Sequence, residues 1–257
     1  MPPRSNRLIW IDCEMTGLDA ATCKMLEIAA VVTENSDQLT IVDKTESIVI
    51  HCDKETLDNM NQWCVQHHGA SGLTRRSRNS TISCQQAEAM VLRMLRKHTV
   101  KGECKLAGNR PSKDREFIDK YMPLLGQWLS RSTLDVTDIQ TEAFKWWKTC
   151  GKNVHKYRPR KVRGHRALAD IMESIAEYRY YRAHGLRSPD DCARLFRPTF
   201  RNSNYSYDDD HDDYYDHDDY YDHDDHYDHN DTSYSWKDCI DDDDLIDFFE
   251  NNDSTIQ

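Results

Sequence analysis

Residues 8–19 read LIWIDCEMTGLD, a stretch that combines a strand pattern with two closely spaced acids. Leu8–Ile11 is an apolar run rich in the β-branched and aromatic residues that favour strands. Asp12 and Glu14 come at the end of this predicted strand. Because residues i and i+2 of a strand point to the same face, we expect both carboxylates to project together. Taken alone, the pair is more typical of a surface strand with two solvated acids.

The segments that follow predict alternating strands and helices. The apolar run LEIAAVV at 26–32 and a third strand within 40–51 favour an antiparallel start to a sheet. In residues 83–98, apolar residues recur at helical spacing. Further strands are predicted at 105–109 and 132–136, and further helices from about 113, at 137–148 and at 165–184. We therefore predict an α/β domain over residues 1–186, with a mixed sheet flanked by helices.

Charge divides the chain into two parts of opposite sign. The whole sequence has 34 Lys and Arg against 45 Asp and Glu, a formal net charge of −11. Residues 201–257 contain 21 acids against Arg201 and Lys237, a net charge of −19, which leaves +8 on residues 1–200. An evenly spread −11 would argue against a nucleic-acid partner, but a basic body is compatible with one. Residues 187–200, with two prolines, are predicted to be a linker.

The segment 201–257 is an acidic tail with a near six-residue repeat of Asp, Tyr and His. It has no Leu, Ile or Val before Ile240, so it lacks the apolar surface that would offset the entropy of ordering, and we predict disorder. Four interpretations stay open. The tail could be a solvated extension, an autoinhibitory mimic of a nucleic-acid strand, a metal-capturing repeat, or a docking segment for a protein partner at 235–253.

Cysteine usage and the absence of targeting patterns favour a reducing compartment. The nine cysteines are odd in number and include no C-x-x-C pair, which argues against a disulfide framework and a zinc ribbon. Met1–Arg7 has no apolar segment of a secretion signal, and no apolar run approaches the ~20 residues of a membrane span. We expect a cytoplasmic protein outside the membrane, with the mitochondrion or the nucleus as alternatives.

Two acids and a histidine further along the chain extend the Asp12–Glu14 pair. Asp114 is predicted in the first turn of a helix, and His165 and Asp170 open the last helix. Each has an ordinary alternative: a favourable helix-dipole partner, a helix-start residue, or a member of a solvated face. Together, four carboxylates and one histidine match a phosphodiester hydrolase with two divalent cations. Oxygen ligands suit Mg²⁺ or Mn²⁺, and a histidine can take a proton from water near neutral pH.

The ordered motifs resemble those of the oligoribonucleases, or small-fragment nucleases, of the DEDDh 3′–5′ exonuclease superfamily. WIDCEMTGLD at 10–19 is similar to the first exonuclease motif of this family. Further blocks continue the likeness in order: HHGASGLT at 67–74, LAGN at 106–109, DREFIDKYMP at 114–123, LDVT at 134–137 and GHRALADIMESIAE at 164–177. The resemblance covers residue 7 to about 186 and implies a ribonuclease-H-like fold and a homodimer.

The resemblance also implies catalytic roles for individual residues. Asp12, Glu14, Asp114 and Asp170 match the metal-binding carboxylates of the family, and His165 matches its general base.

Three further residues are implied in nucleic-acid binding. Leu18 matches a leucine that wedges between bases, and Trp63 matches a tryptophan that stacks on one, a contact worth roughly 1–3 kcal/mol. Considered without the motif, Trp63 would more often be a core residue. His68 matches a family histidine near the active site, with a structural histidine as the alternative.

Two positions depart from the family pattern. Arg110-Pro111 stands where the family usually has Ser after Gly-Asn, and Arg131-Ser132 stands where it has the Tyr-Arg pair that caps the terminal phosphate across the dimer. Because the planar guanidinium binds phosphate in a fixed geometry, shifting an arginine by one residue changes that cap. We therefore predict hydrolysis with a relaxed length preference rather than a strict preference for dinucleotides.

These observations predict a metal-dependent 3′–5′ exoribonuclease that degrades short single-stranded RNA to nucleoside 5′-monophosphates. One alternative is a broader exonuclease for single-stranded RNA and DNA at the same site. An alternative of another class is a non-catalytic binding or adaptor protein that acts through its acidic tail.

Overall fold

A computed structural model of the protein describes residues 2–149 and 166–184. For Thr149 and His184, which end two helices, only the backbone is described. His165, the predicted linker at 187–200 and the predicted disordered tail at 201–257 lie outside the described residues.

A six-stranded mixed sheet forms the centre of this structure. In chain order its strands are β1 (Leu8–Met15), β2 (Met25–Thr33), β3 (Ile41–Lys44), β4 (Ile48–Val49), β5 (Lys105–Gly108) and β6 (Thr133–Asp135). Strand β1 is central, pairing antiparallel with β2 and parallel with β5. Beyond β5 lies parallel β6, and β3 and β4 both pair antiparallel with β2. The mixed sheet predicted from the sequence is confirmed.

Helices cover the sheet and fill the connections between its strands. The described residues form α1 (Lys54–Asp58), α2 (Gln62–Ala70), α3 (Leu73–Asn79), α4 (Cys84–His98), α5 (Pro111–Tyr121), α6 (Pro123–Trp128), α7 (Val136–Thr149) and α8 (Ala167–His184). Among them, α4 begins with a reciprocal capping box between Ser83 and Gln86, which explains its sharp start.

The alternation of side chains along β1 places a hydrophobic core on each face of the sheet. Ile9, Ile11 and Cys13 belong to a core that α4, α5 and α6 complete. Leu8 and Trp10 belong to a second core, completed by α7 and α8. Asp12 and Glu14 continue the row of Leu8 and Trp10, so the pattern of β1 assigns them to the side of the sheet that α8 covers.

The structure differs from the sequence prediction in the extent of two strand regions. Strand β1 continues to Met15, so Asp12 and Glu14 lie within a strand rather than after one. The third strand predicted within 40–51 is divided into β3 and β4. Both pair with β2, which is buried along its whole length and supports neighbours on each side.

Helices α1, α2 and α3 were not predicted from the sequence. They are short, and α1 and α2 start where an N-cap side chain, of Asp53 or Asn61, accepts a hydrogen bond from the helix backbone. Helix α2 buries Cys64 and His68 rather than a stripe of large apolar residues. A search for helical hydrophobic spacing therefore has little to detect in this region.

Within the described residues, we find no helix that is both long enough and apolar enough to span a bilayer.

Candidate active site

Three of the predicted acids meet on the α8 side of β1. Asp12 and Glu14 leave the same face of the strand, and Asp170 approaches from α8. One carboxylate oxygen from each of the three residues lies within 4.8 Å of the others, a separation that a single bound cation can bridge. Helix α8 begins at Ala167 rather than at the predicted position 165, and Asp170 lies in its first turn.

The fourth predicted acid, Asp114, comes from the first turn of α5. Arg110, the residue before this helix, has a left-handed backbone with φ of 54°, and Pro111 occupies the first turn. The Asp114 side chain is buried, and its Oδ1 accepts a hydrogen bond from the backbone N–H of Cys13 at 2.9 Å. This bond holds Asp114 beside β1, at the residue that separates Asp12 from Glu14. We call Asp12, Glu14, Asp114 and Asp170 the carboxylate cluster.

The carboxylate cluster is an electrostatically strained arrangement in the absence of a cation. Burial, followed by the charges of Asp114, Asp170 and Glu14, raises the pKa of Asp12 well above its usual range. Burial and the charge of Asp170 raise the pKa of Glu14 to about 8. Burial raises the pKa of Asp114 to about 7, although the N–H of Cys13 opposes this shift. Such a set of buried oxygen donors fits a hard divalent cation, which removes the repulsion.

A tightly held loop presents Leu18 next to β1. At the base of the loop the Thr16 N–H donates to Lys24 O, and the Lys24 N–H donates to Thr16 Oγ1, each at 2.9 Å. The Lys120 ammonium on α5 donates to the backbone carbonyls of Ala20 and Ala21 at 2.5 and 2.7 Å. Leu18 nevertheless remains 71% exposed, so its apolar side chain is presented to solvent and not to the core.

Gly17, at the start of this loop, packs closely against the Cys23 side chain. A Cβ atom at this position would lie 2.7 Å from Cys23 Sγ, which is closer than van der Waals contact allows. The small residue therefore lets the loop turn back on itself directly before Leu18.

Helix α2 brings Trp63 and His68 to the same end of β1. Trp63 is 43% exposed and stacks on His67, with ring centroids 3.9 Å apart. Trp63 is therefore not a core residue, although a tryptophan considered without its motif would more often be one. His68 is buried, and its Nε2 lies 2.8 Å from the carbonyl oxygen of Met15, to which it donates.

The other nitrogen of His68 faces the carboxylate cluster. Its Nδ1 lies 3.9 Å from Glu14 Oε2 and has no hydrogen-bond partner among the described residues. Burial lowers the pKa of His68, which favours the neutral ring. With Nε2 donating to Met15, the neutral ring offers a bare acceptor at Nδ1.

Glu27, which the sequence analysis did not single out, also borders the cluster. It is directly opposite Glu14 in the β1–β2 register and is completely buried. Its carboxylate accepts from the Ala167 N–H at 3.1 Å and from Arg166 Nε at 3.2 Å. The available signal was an acid inside the otherwise apolar run LEIAAVV, since buried strands rarely include an unpaired charge.

Comparison with known proteins agrees with this geometry. The sequence model of the Exonuclease family matches residues 9–178. A probable oligoribonuclease of Dictyostelium discoideum is 45% identical over 179 residues, which cover 70% of this chain and 90% of that protein. The mitochondrial oligoribonuclease of Homo sapiens is 39% identical over 178 residues, covering 69% of this chain and 73% of the human protein. The chain belongs to the oligoribonuclease family.

This membership confirms the DEDDh exonuclease resemblance and makes the protein an enzyme, a hydrolase of the 3′–5′ exoribonuclease class. A bacterial oligoribonuclease, from Francisella tularensis subsp. novicida, is 41% identical over 178 residues, covering 69% of this chain and 95% of that protein. Relatives from mitochondria and from bacteria thus share the family with this chain, and its own compartment stays a prediction.

A solved structure supports the ribonuclease-H-like fold. E. coli exonuclease I in complex with a dT13 oligonucleotide superimposes with a TM-score of 0.53 at 16% sequence identity. The match covers 74% of this chain but only 43% of exonuclease I, so the chain spans less than half of that protein. At this identity the likeness concerns the fold alone.

Proposed function

We propose that the protein hydrolyses short single-stranded RNA from its 3′ end to nucleoside 5′-monophosphates, with two divalent cations, Mg²⁺ or Mn²⁺, and a histidine base. The observation that supports this most is the carboxylate cluster, in which one oxygen from each of three acids of β1 and α8 lies within 4.8 Å of the others. An acidic group of this kind needs a cation for its charged form to be stable.

We assign Asp12, Glu14, Asp114 and Asp170 to metal binding. When bound there, the cations would stabilise the attacking and leaving oxygens of the phosphodiester. The chain contributes fixed positions for the carboxylates: two on a central strand, one on α5 tied to Cys13, and one in the first turn of α8. These rigid elements hold the ligand atoms before substrate arrives.

We assign the general base to His165, which precedes Arg166 in the chain. Its neighbour Arg166 is bonded to Glu27, so the chain enters α8 at a defined point next to the cluster. A base at this place would take a proton from the attacking water. His165→Ala should reduce the rate constant for hydrolysis while leaving Mn²⁺ affinity intact, since the carboxylates remain.

The proposed substrate contacts are two exposed apolar side chains and one buried histidine near the cluster. We propose that Leu18 wedges between bases and that Trp63 stacks on one, because both apolar side chains face solvent near β1. His68 Nδ1, buried and 3.9 Å from Glu14 Oε2, is an acceptor that a sugar hydroxyl of the terminal nucleotide could satisfy.

The decisive experiment is digestion of RNA ladders labelled at the 3′ or the 5′ end. With Mg²⁺ or Mn²⁺, a 5′ label should appear in successively shorter products, and chelation with EDTA should stop the reaction. DNA ladders of the same sequence would test the broader exonuclease alternative. Release of label without directional shortening, or hydrolysis that continues in EDTA, would contradict the proposal.

Length preference is a separate proposal. Arg110 is exposed and has the left-handed backbone just before α5, and Arg131 is exposed just before β6. These are the two places at which the sequence departs from the family pattern, and we propose that the departure relaxes the preference for dinucleotides. Rates on RNAs of two, five and ten nucleotides test this, and a sharp optimum at two would rule it out.

We also propose a homodimer and a protein partner for the acidic tail. Trp146 on α7 is 43% exposed, which is a large apolar side chain for a monomer to leave in solvent. Light scattering of the purified protein tests the dimer. For the tail, deletion of residues 201–257 separates the alternatives, because autoinhibition predicts faster hydrolysis at low salt after deletion, whereas partner docking predicts an unchanged rate.

A further inference from the structure

The Glu27 carboxylate is buried at the junction of three elements. It leaves β2 opposite Glu14, and its side chain has no exposed surface. A carboxylate removed from water in this way is costly unless charged groups and N–H donors surround it. The groups that contact Glu27 therefore indicate which part of the structure this acid stabilises.

Its closest partners belong to the beginning of α8. The Ala167 N–H donates to Oε1 at 3.1 Å, and Arg166 Nε lies 3.2 Å from Oε1 and 3.3 Å from Oε2. Backbone N–H groups in the first turn of a helix have no partner within the helix and attract negative charge. Glu27 thus caps α8 from a different element, the central sheet.

A third partner extends the arrangement to α3. Arg76 Nη2 lies 3.5 Å from Glu27 Oε2, so two arginines, one on α3 and one directly before α8, face one carboxylate. Because both Glu27 oxygens are engaged with these groups, Glu27 differs from the acids of the carboxylate cluster, whose charges are mutually repulsive. Glu27 lies next to the cluster but is not one of the three acids whose oxygens lie within 4.8 Å of one another.

The capped turn is the one that carries Asp170. The Asp170 N–H donates to Arg166 O at 3.0 Å, so a single helical turn joins the residue held by Glu27 to the acid of the cluster. His165, the proposed base, is the residue directly before Arg166. We infer that Glu27 is a positioning residue, which fixes the first turn of α8 and thereby sets the place of Asp170 relative to Asp12 and Glu14.

This inference rests on the proposed function for its catalytic meaning, but the positioning itself can be tested separately. The alternative is a buried ion pair that supports the fold and nothing else. The chain offers a matched control, because Glu34, directly after the far end of β2, pairs with the fully buried Arg7 at 2.7 Å, remote from the cluster.

The experiment compares Glu27→Gln and Glu34→Gln in the full-length protein by three measurements. Hydrogen exchange reports protection of the amides of residues 167–170, calorimetry reports Mn²⁺ binding, and steady-state kinetics on a short RNA separate kcat from KM. For Glu27→Gln we expect faster exchange at 167–170, and losses of about 10- to 100-fold in Mn²⁺ affinity and in kcat, with KM little changed. Glu34→Gln should lower thermal stability without any of these effects.

If Glu27→Gln does not fold, Arg166→Gln removes the same contact from the more exposed partner, whose side chain is 30% exposed, and should give the same pattern. Unchanged exchange at 167–170, or unchanged Mn²⁺ affinity and kcat in a variant that is only less stable, would overturn the inference. Failure of the proposed function would look different, since the unaltered protein would then neither bind Mn²⁺ nor hydrolyse RNA, while the exchange measurement would still report on positioning.

Discussion

The two ends of the β1–β2 strand pair differ in whether their charged side chains are compensated by opposite charges. At one end, Arg7 and Glu34 form a complete pair, with Arg7 Nη2 2.7 Å from Glu34 Oε1 and Arg7 Nη1 donating to His98 O at 2.9 Å. The hydrogen bond from Arg7 lowers the pKa of Glu34. The charges at this end are satisfied by the chain itself.

At the other end, the acids of the carboxylate cluster repel one another. The pKa values of Asp12, Glu14 and Asp114 are raised, with burial as the first cause. Glu27, at the edge of this group, has arginine partners as Glu34 does. The difference agrees with a structural role for the first end and with the proposed cation site at the second.

The largest effect is expected from Asp12→Ala. Hydrolysis of a short RNA should fall below detection, because the variant lacks an acid from the centre of the cluster. The thermal midpoint of the metal-free protein should stay the same or rise, since a repulsive buried charge has been removed. Persistent hydrolysis would refute the site, and strong destabilisation would show that Asp12 has partners comparable to those of Glu34.

Glu34→Gln should have the converse effect. Because it leaves the Arg7 side chain buried without its charged partner, we expect a loss of about 3 kcal/mol in the free energy of unfolding. Urea denaturation followed by tryptophan fluorescence measures this loss. The rate of RNA hydrolysis per folded molecule should be unchanged. A loss below about 1 kcal/mol, typical of surface pairs, would remove the contrast between the two ends.

The pH dependence of stability should also separate the two ends. Glu14 has a pKa of about 8 in the folded protein against an ordinary value of 4.5, so between these values the folded state binds more protons than the unfolded state. The stability of the metal-free protein should therefore fall as pH rises through this range. Saturating Mg²⁺ should remove this decline, and Glu14→Gln should reduce it. An identical decline with and without Mg²⁺ would argue against a cation at the cluster.

For Glu34, whose pKa is lowered, the sign is opposite. Its contribution to stability is present above the ordinary pKa of a glutamate and is lost as pH falls below it. Glu34→Gln should therefore reduce acid sensitivity and leave the decline toward pH 8 unaltered.

The smallest effect is expected from Trp63→Ala. Loss of a stacked base should weaken RNA binding by about 1–3 kcal/mol, seen as a higher KM with unchanged Mn²⁺ affinity. Leu124→Ala is a suitable control, because Leu124 is also exposed, at 56%. An equal change in KM for both variants would remove the specific role of Trp63.

Much of the fold could be predicted because its signals are local. The apolar runs that became β1, β2 and β5 and the helical spacing of α4 depend on neighbouring residues in the chain. The helices at 54–79 were missed because α1 and α2 begin at side-chain caps rather than at a hydrophobic stripe.

Part of the candidate site could also be predicted from signals that are local in the chain. Asp12 and Glu14 are two residues apart, so their common face follows from strand geometry alone. His68, a buried neighbour of Glu14, lies 3.9 Å from it but 54 positions along the chain, and only the ordered family motifs pointed to it.

The sequence alone predicts the alternation of strands and helices, the division of charge between body and tail, and a candidate set of acids for a metal site. The tertiary structure decided which acids are left uncompensated and which are paired. Asp12 and Glu27 are both acids of buried strands, but the register of β1 with β2 and the start of α8 give Arg166 to Glu27 and leave Asp12 among carboxylates. Burial and the distance between charges set the energy of an ion pair, and both arise only when distant segments pack together.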